Sequence, residues 1–100
     1  YMTTKLPADD IRDKLILDYG EDQYSDTLKI LNSVSELSDR TIRCIIFLAN
    51  GDIEKLNHYT ECADRDYRDV IYWAEYFEGE DKAKPVRIRD FNKPFTDNLS

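Results

Sequence analysis

The stretch TIRCIIFLANGD, Thr41–Asp52, is the most apolar segment of an otherwise charged sequence. Its inward residues recur at helical spacing: Ile42, Ile45, Ile46 and Ala49. Neighbouring apolar side chains widen this face beyond a narrow stripe, so we expect a helix at the centre of a bundle. Asn50 and Gly51 tolerate the left-handed backbone that ends a helix, and Asp52 can cap the next one. The stretch therefore predicts a helical corner inside one small domain.

Composition narrows the class of protein. One hundred residues are enough for a single domain with one core. Three glycines and three prolines leave few places for hairpin turns and favour helices. Fourteen basic residues against twenty-one acidic residues give a net charge of −7, which disfavours general binding to nucleic acid. We therefore predict an all-α protein, a single small bundle of about five helices.

Charge divides the chain into an acidic body and a basic tail. Residues 82–93 carry five basic residues and one acidic residue, whereas residues 1–81 have a large acidic excess. Val86–Arg89 alternates with period two, which is typical of extended backbone, and Phe91 and Phe95 offer apolar anchors. We predict a helical domain over residues 1–79 and an extended basic C-terminal arm over residues 80–100, packed on that domain because opposite charges attract.

Helix signals recur along the body. They predict a first helix from about Pro7 to Gly20, a second from about Asp22 to Val34, a third capped by Ser38, a fourth opened by Asp52 and a fifth starting at residues 64–66. The third is expected at the centre. We expect the fourth and fifth to form an antiparallel pair.

The predicted fifth helix carries more aromatic side chains than one buried face can hold. Its inward face is predicted to consist of Tyr67, Val70, Ile71, Ala74 and Phe77. Aromatic and arginine side chains outside that face are typical anchors of protein interfaces. We therefore predict a partner-binding site made of Arg68, Tyr72, Trp73 and Tyr76. The alternative is that Trp73 packs under the arm of its own chain and that Arg68 pairs with Asp64 or Asp69.

Two further groups could carry chemistry. His58 and Cys62 lie one helical turn apart, a spacing that could activate a thiol. The carboxylates of Glu61, Asp64, Asp66 and Asp69 could hold Mg²⁺ or Ca²⁺. For His58 and Cys62, the simpler interpretation is an exposed histidine beside a packed cysteine, since no third catalytic group accompanies them. For the carboxylates, it is a solvated helix end, since no known metal motif is present. We predict no catalytic residue, no metal and no cofactor.

The two cysteines and the apolar runs bear on the compartment. Cys44 and Cys62 both fall in predicted helices, and we expect no secretory leader before them. We therefore expect reduced, buried thiols in the cytoplasm. The longest apolar run, Cys44–Ala49, is far shorter than the roughly 20 residues of a membrane span, so we expect no membrane partner.

The segment GDIEKLNHYTECADRDYRDVIYWAEY, Gly51–Tyr76, resembles a group of short, acidic, uncharacterised bacterial helical proteins. These share a GDxxxL opening and a D(Y/W)RDVxxWAEY ending. The resemblance covers about a quarter of the chain and implies a small cytosolic helical protein. It implies no reaction, ligand or partner.

Two main functions remain open. The first is a non-enzymatic interaction module, an acidic helical protein that binds a basic protein partner, for example as an inhibitor or immunity protein, or that associates with itself as a homodimer. The second is a small enzyme or metal-binding protein that uses His58, Cys62 and the Glu61–Asp69 carboxylates. A weaker third is nucleic-acid binding by residues 82–93, with Phe91 and Phe95 as stacking surfaces.

Overall fold

The computed structural model describes residues 8–34, 36–77 and 86–95. Its elements, in chain order, are α1 (Asp9–Tyr19), α2 (Glu21–Asn32), α3 (Asp39–Ala49), α4 (Ile53–Glu75), β1 (Tyr76–Phe77) and β2 (Val86–Arg87). The two short strands pair antiparallel, with Tyr76 opposite Arg87 and Phe77 opposite Val86. The all-α class is confirmed. The described residues form four helical elements where about five helices were predicted, because α4 runs through a break at Asp66 that divides it into two helices.

Helix α3 lies at the centre, as its sequence predicts. Every residue from 41 to 46 is buried, because α3 packs against both α1 and α4. The predicted cap is present: Ser38 Oγ accepts a hydrogen bond from the backbone N–H of Thr41 at 3.2 Å. At the other end, Asn50 adopts the left-handed conformation with φ 49° and ψ 46°. Local signals alone are therefore enough to bound this helix.

The corner between α3 and α4 also follows its sequence. Gly51 has φ +80°, a conformation that costs glycine little and other residues more. Asp52 Oδ1 then accepts hydrogen bonds from the backbone N–H groups of Glu54 at 2.9 Å and Lys55 at 3.3 Å. These two bonds satisfy donors that the first turn of α4 would otherwise leave open.

Helix α4 contains both of the helices predicted after Asp52. Asp66 breaks it, with φ −158° and ψ 100°, and Asp66 Oδ1 accepts a hydrogen bond from the backbone N–H of Arg68 at 3.0 Å. Asp66 therefore acts as an internal cap for residues 67–75. A single extended residue joins the two halves where the sequence predicted separate helices, which explains the lower helix count.

The two halves of α4 lie against each other. The ring centroids of Tyr59 and Trp73 are 6.3 Å apart. Fourteen positions of straight helix would separate them by about 21 Å along the axis. The break at Asp66 therefore turns residues 67–75 back toward residues 53–65.

Helices α1 and α2 are joined at Gly20, whose φ is +86°. Helix α1 buries Ile11 and Leu15, and α2 buries Thr27 and Leu31. Helix α2 ends at Asn32, two residues before the predicted end, because its last turn closes through the hydrogen bond from the N–H of Ser33 to the carbonyl of Ile30. Pro7, where the first helix was expected to begin, lies outside the described residues.

Residues 86–95, which we call the docked segment, pack on the helices. Phe91 is fully buried in the core and Phe95 is 4% exposed. The backbone N–H groups of Ile88 and Arg89 donate to the carbonyl of Glu75, at 2.7 and 3.2 Å. The predicted division at residues 79 and 80 lies outside the described residues and stays a prediction. Among the described helices, none is both long and apolar enough to cross a membrane.

Candidate functional site

The predicted partner-binding residues lie on two neighbouring sides of the second half of α4. Tyr72 and Tyr76 stack with ring centroids 5.4 Å apart and an interplanar angle of 17°. Arg68 stands four positions before Tyr72 on the same side. Trp73 lies on the adjacent side, where its ring meets the edge of Tyr59 at 63°. The structure therefore brings Tyr72 and Tyr76 together and places Trp73 beside the first half of α4.

These side chains differ in how much solvent they reach. Trp73 is 47% exposed, whereas Tyr72 and Tyr76 are half-buried. Tyr67, which was expected to face inward, is 53% exposed, so that expectation is wrong. The break at Asp66 is the reason, since it starts a new turn there. The Phe77 side chain lies outside the described residues.

Arg68 pairs with a carboxylate that the sequence analysis did not choose. Its Nε donates to Asp66 Oδ1 at 3.0 Å and its Nη2 to Asp66 Oδ2 at 3.2 Å. Asp64 and Asp69 were the expected partners. The hydrogen bonds that Arg68 donates to the Asp66 carboxylate lower its pKa below the ordinary value. Arg68 itself stays 78% exposed, so the pair is a solvated one.

Beside Trp73 lies an open cavity of about 320 Å³, lined by Cys62, Arg65, Asp66, Asp69 and Trp73. The Cys62 sulfur is buried but has two nitrogen neighbours. His58 Nε2 lies 3.7 Å from it, and Arg65 Nη2 donates to it at 3.6 Å. The spacing of four residues between His58 and Cys62 therefore does bring the two side chains together.

The other thiol is of a different kind. Cys44 is fully buried in α3, and burial raises its pKa to about 12, with the nearby Glu75 charge adding to the rise. Such a thiol is protonated at neutral pH and unreactive. Both cysteines are free thiols. In the described ranges, no three His, Cys, Asp or Glu side chains are placed to share a metal ion.

The strongest polar site is one that the sequence analysis missed. Glu75, at the end of α4, is fully buried. Arg40 donates to both of its oxygens, from Nε at 2.9 Å and from Nη2 at 2.6 Å. Arg87 Nε donates to Oε1 at 3.0 Å, and the backbone N–H of Phe91 donates to Oε2 at 3.0 Å. We call these four residues the Glu75 cluster, and it ties α3, α4 and the docked segment to one carboxylate.

A second cluster lies at the start of α1. Arg43 donates to both oxygens of Asp10, from Nε at 2.8 Å and from Nη2 at 3.0 Å. Its Nη1 donates to the carbonyl of Phe91 at 3.1 Å, and the N–H of Phe95 donates to Asp10 Oδ2 at 3.2 Å. We call these residues the Asp10 cluster. Both clusters therefore hold the docked segment through its backbone, and the Glu75 cluster also holds it through the Arg87 side chain.

One further cation of the docked segment is turned inward. Arg89 lies 4.3 Å from the centroid of the Phe47 ring, and its Nη1 donates to the carbonyl of Ala74 at 3.2 Å. Phe91 and Phe95 fill the core beside it, so the proposed stacking of their rings on nucleic-acid bases is wrong for the docked segment. A sequence signal did exist: Arg43 stands inside the most apolar stretch of the chain, where a charge needs a partner.

The two central carboxyls have depressed pKa values. Burial raises the pKa of Glu75, but the hydrogen bonds from Arg40 and from the N–H of Phe91 outweigh it, and the pKa lies below the ordinary value of 4.5. Burial likewise raises the pKa of Asp10, and the bonds from Arg43 and Phe95 bring it below 3.8. Both carboxylates therefore stay charged at neutral pH.

These shifts predict acid sensitivity. Below about pH 4.5, Asp10 and Glu75 bind protons in the unfolded chain at pH values where they are still ionised in the folded chain. The free energy of unfolding therefore falls as the pH is lowered through that range. Above it, these two groups contribute no slope. We expect urea midpoints measured from neutral pH down to about pH 3 to fall less steeply in Asp10→Asn than in the wild type. Equal slopes would show that Asp10 has the same pKa folded and unfolded.

Comparisons with protein families, with curated proteins and with solved structures found no match to this chain. The resemblance of Gly51–Tyr76 to short acidic bacterial proteins therefore stays a prediction. The geometry of the described residues alone has to support any function.

Proposed function

We propose that this chain is a non-enzymatic, cytoplasmic interaction module that binds a basic protein partner through the second half of α4. Arg68, Tyr72, Trp73 and Tyr76 would form the contact surface, and the surrounding carboxylates would attract the partner. Inhibitor and immunity proteins that cover a cationic site act in this way. Self-association into a homodimer is the other form of the same proposal.

The distribution of charge carries this proposal. The two clusters use Arg40, Arg43 and Arg87 to neutralise interior carboxylates. Exposed carboxylates that make no ion pair with a described residue are Glu21, Asp22, Asp26, Glu36, Asp52, Glu54, Glu61, Asp64 and Asp69. Three arginines therefore pair with interior carboxylates, and among the described residues more carboxylates than cations are exposed, an arrangement that speeds association with a basic protein.

The aromatic side chains supply the short-range contacts with the partner. Trp73 is half exposed although it is the largest apolar side chain of the chain, and it lies beside Asp66 and Asp69 at an open cavity. Burying a tryptophan within a ring of polar groups is typical of binding hot spots. Charge would bring the partner to this face, and Trp73 would hold it there.

The test is retention of a partner from native lysate at low ionic strength on immobilised protein. We expect one stoichiometric basic protein to be retained by the wild type. Trp73→Ala should weaken binding of that protein by roughly 30-fold, the loss of a hot-spot residue. Added salt should weaken it as well, because exposed charges are screened.

Leu17→Ser is the matched control, since Leu17 is 79% exposed on α1, away from the proposed surface. It should retain the partner as the wild type does. Solution mass decides the other form of the proposal: a dimer that Trp73→Ala converts to monomers would support self-association. A monomer that retains no partner at low ionic strength would contradict both forms.

The contacts of Cys62 favour a second candidate, a small thiol enzyme. His58 could accept the thiol proton and Arg65 could stabilise the thiolate at the mouth of the cavity beside Trp73. Alkylation by iodoacetamide separates the two candidates. Reaction of Cys62 faster than that of a peptide thiol, and slower in His58→Gln, would favour the enzyme.

A further inference from the structure

A larger cavity lies between the α2–α3 connection and α4. Its volume is about 560 Å³, within the range of about 300 to 1,000 Å³ that small-ligand sites occupy. The side chains that matter for its chemistry are Val34, Glu36, Leu37, Ala63, Asp64 and Tyr67. None of them was assigned to a site by the sequence analysis except Asp64.

The cavity has an acidic rim, and its buried lining consists of Leu37, Ala63 and the polar Thr41. Leu37 is 8% exposed and Ala63 is 5% exposed, so both form a closed apolar surface. Glu36 and Asp64 are exposed, and among the described residues neither has an ion pair. Tyr67 adds an aromatic ring that is 53% exposed. A ligand for this site therefore needs an apolar stem and a positive charge.

The backbone at the rim is unusual. Glu36 has φ +66°, which is uncommon for any residue other than glycine. Backbone of this kind is found more often at functional sites than elsewhere. It places Glu36 in the lining of the same cavity as Asp64, two residues that lie on different elements.

Arginine fits this combination better than lysine. Its planar guanidinium can stack on a tyrosine ring and donate hydrogen bonds to two carboxylates at once. Its methylene stem can lie along apolar side chains such as Leu37 and Ala63. A lysine ammonium carries the same charge but is a compact point charge that stacks poorly.

We propose that this cavity receives an arginine side chain of the basic partner, with Tyr67 beneath the guanidinium and the carboxylates of Glu36 and Asp64 at its edges. The inference rests on the proposed function and names the chemistry by which the partner is recognised. Asp64 and Tyr67, which line the cavity, belong to α4, the helix that also carries the proposed contact surface, so one partner can cover both.

The test is an NMR titration of the full chain with a short amidated peptide that has one arginine among glycines. Amide signals of Glu36, Ser38, Asp64 and Tyr67 should shift together and saturate. The same peptide with citrulline, which has the shape of arginine without its charge, should give no saturable shift. The lysine peptide should bind more weakly than the arginine peptide.

Charge variants separate the cavity from the general acidity of the surface. Glu36→Gln with Asp64→Asn should weaken arginine-peptide binding by about tenfold or more. Glu21→Gln with Asp22→Asn removes the same charge from exposed positions on α2 that make no ion pair with a described residue, and it should leave the affinity nearly unchanged. Equal losses in the two double variants, or shifts spread over the whole acidic surface, would overturn the proposal.

Failure of this proposal is distinguishable from failure of the proposed function. Trp73→Ala should leave the peptide titration as it is, because Trp73 does not line this cavity. A Trp73-dependent partner found together with no arginine binding would remove the cavity and keep the interaction module. Arginine binding without any retained partner would support the cavity as an arginine site and remove the interaction module.

Discussion

Glu75→Gln is expected to lower the free energy of unfolding by about 3 kcal/mol, the lower end of the range for breaking a buried ion pair. The carboxylate is fully buried, but Arg40 is 30% exposed and Arg87 is 38% exposed, so both cations keep some hydration after the change. Glutamine keeps the size of the side chain and loses the charge that holds two guanidinium groups. Urea denaturation would measure the loss, and the melting temperature should fall by roughly 12 to 24 °C.

Asp66→Asn is the matched control, again an amide in place of a carboxylate that pairs with an arginine. Asparagine can still accept the hydrogen bond from the N–H of Arg68, and the pair is solvated, so the urea midpoint should stay close to that of the wild type. If the two variants lose the same stability, the Glu75 cluster is not closed to water in solution.

Phe91→Ala is expected to cost about 3 to 5 kcal/mol, since it empties a fully enclosed aromatic site. The Phe91 ring lies 5.4 Å from that of Phe47 and 5.7 Å from that of Phe95, centroid to centroid. Its removal also loosens the Phe91 backbone, whose N–H donates to Glu75 and whose carbonyl accepts from Arg43. Urea denaturation measures the cost, and limited proteolysis should show faster cleavage within the docked segment.

Ile88→Ala provides the comparison within the same segment, because Ile88 is 49% exposed. It should change the free energy of unfolding by no more than about 0.5 kcal/mol. A loss of less than about 1 kcal/mol for Phe91→Ala would mean that the docked segment leaves the helices in solution.

Sequence reasoning succeeded where the signal is local. The ends of α3 follow from Ser38 and Asn50, and the start of α4 follows from Asp52, because each of these residues acts on backbone groups within a turn of itself. The break at Asp66 was also visible as a cap. The predicted start of the fifth helix at residues 64–66 coincides with this break, where one extended residue separates the two halves of α4.

Sequence reasoning failed where the partner is distant. Glu75 stands in an acidic stretch and was not singled out, yet it binds Arg40, which lies 35 residues earlier. Nothing within one helical turn of either residue indicates the pair. For the predicted site residues, the sequence gives side chains that can anchor an interface, and the structure adds that Trp73 is half exposed beside a cavity. The residues of the larger cavity were missed because they come from separate elements.

The hydrogen bond from Phe95 to Asp10 joins residues 85 positions apart. A growing polypeptide can form the Asp10–Arg43 pair as soon as α3 has left the ribosome. The carboxylates of Asp10 and Glu75 obtain their full set of hydrogen-bond donors only after residues 86–95 have been synthesised. Loop closure over such distances is slow relative to helix formation. Until it happens, the Phe47 ring and the neighbouring arginines remain open to chaperones and to other nascent chains.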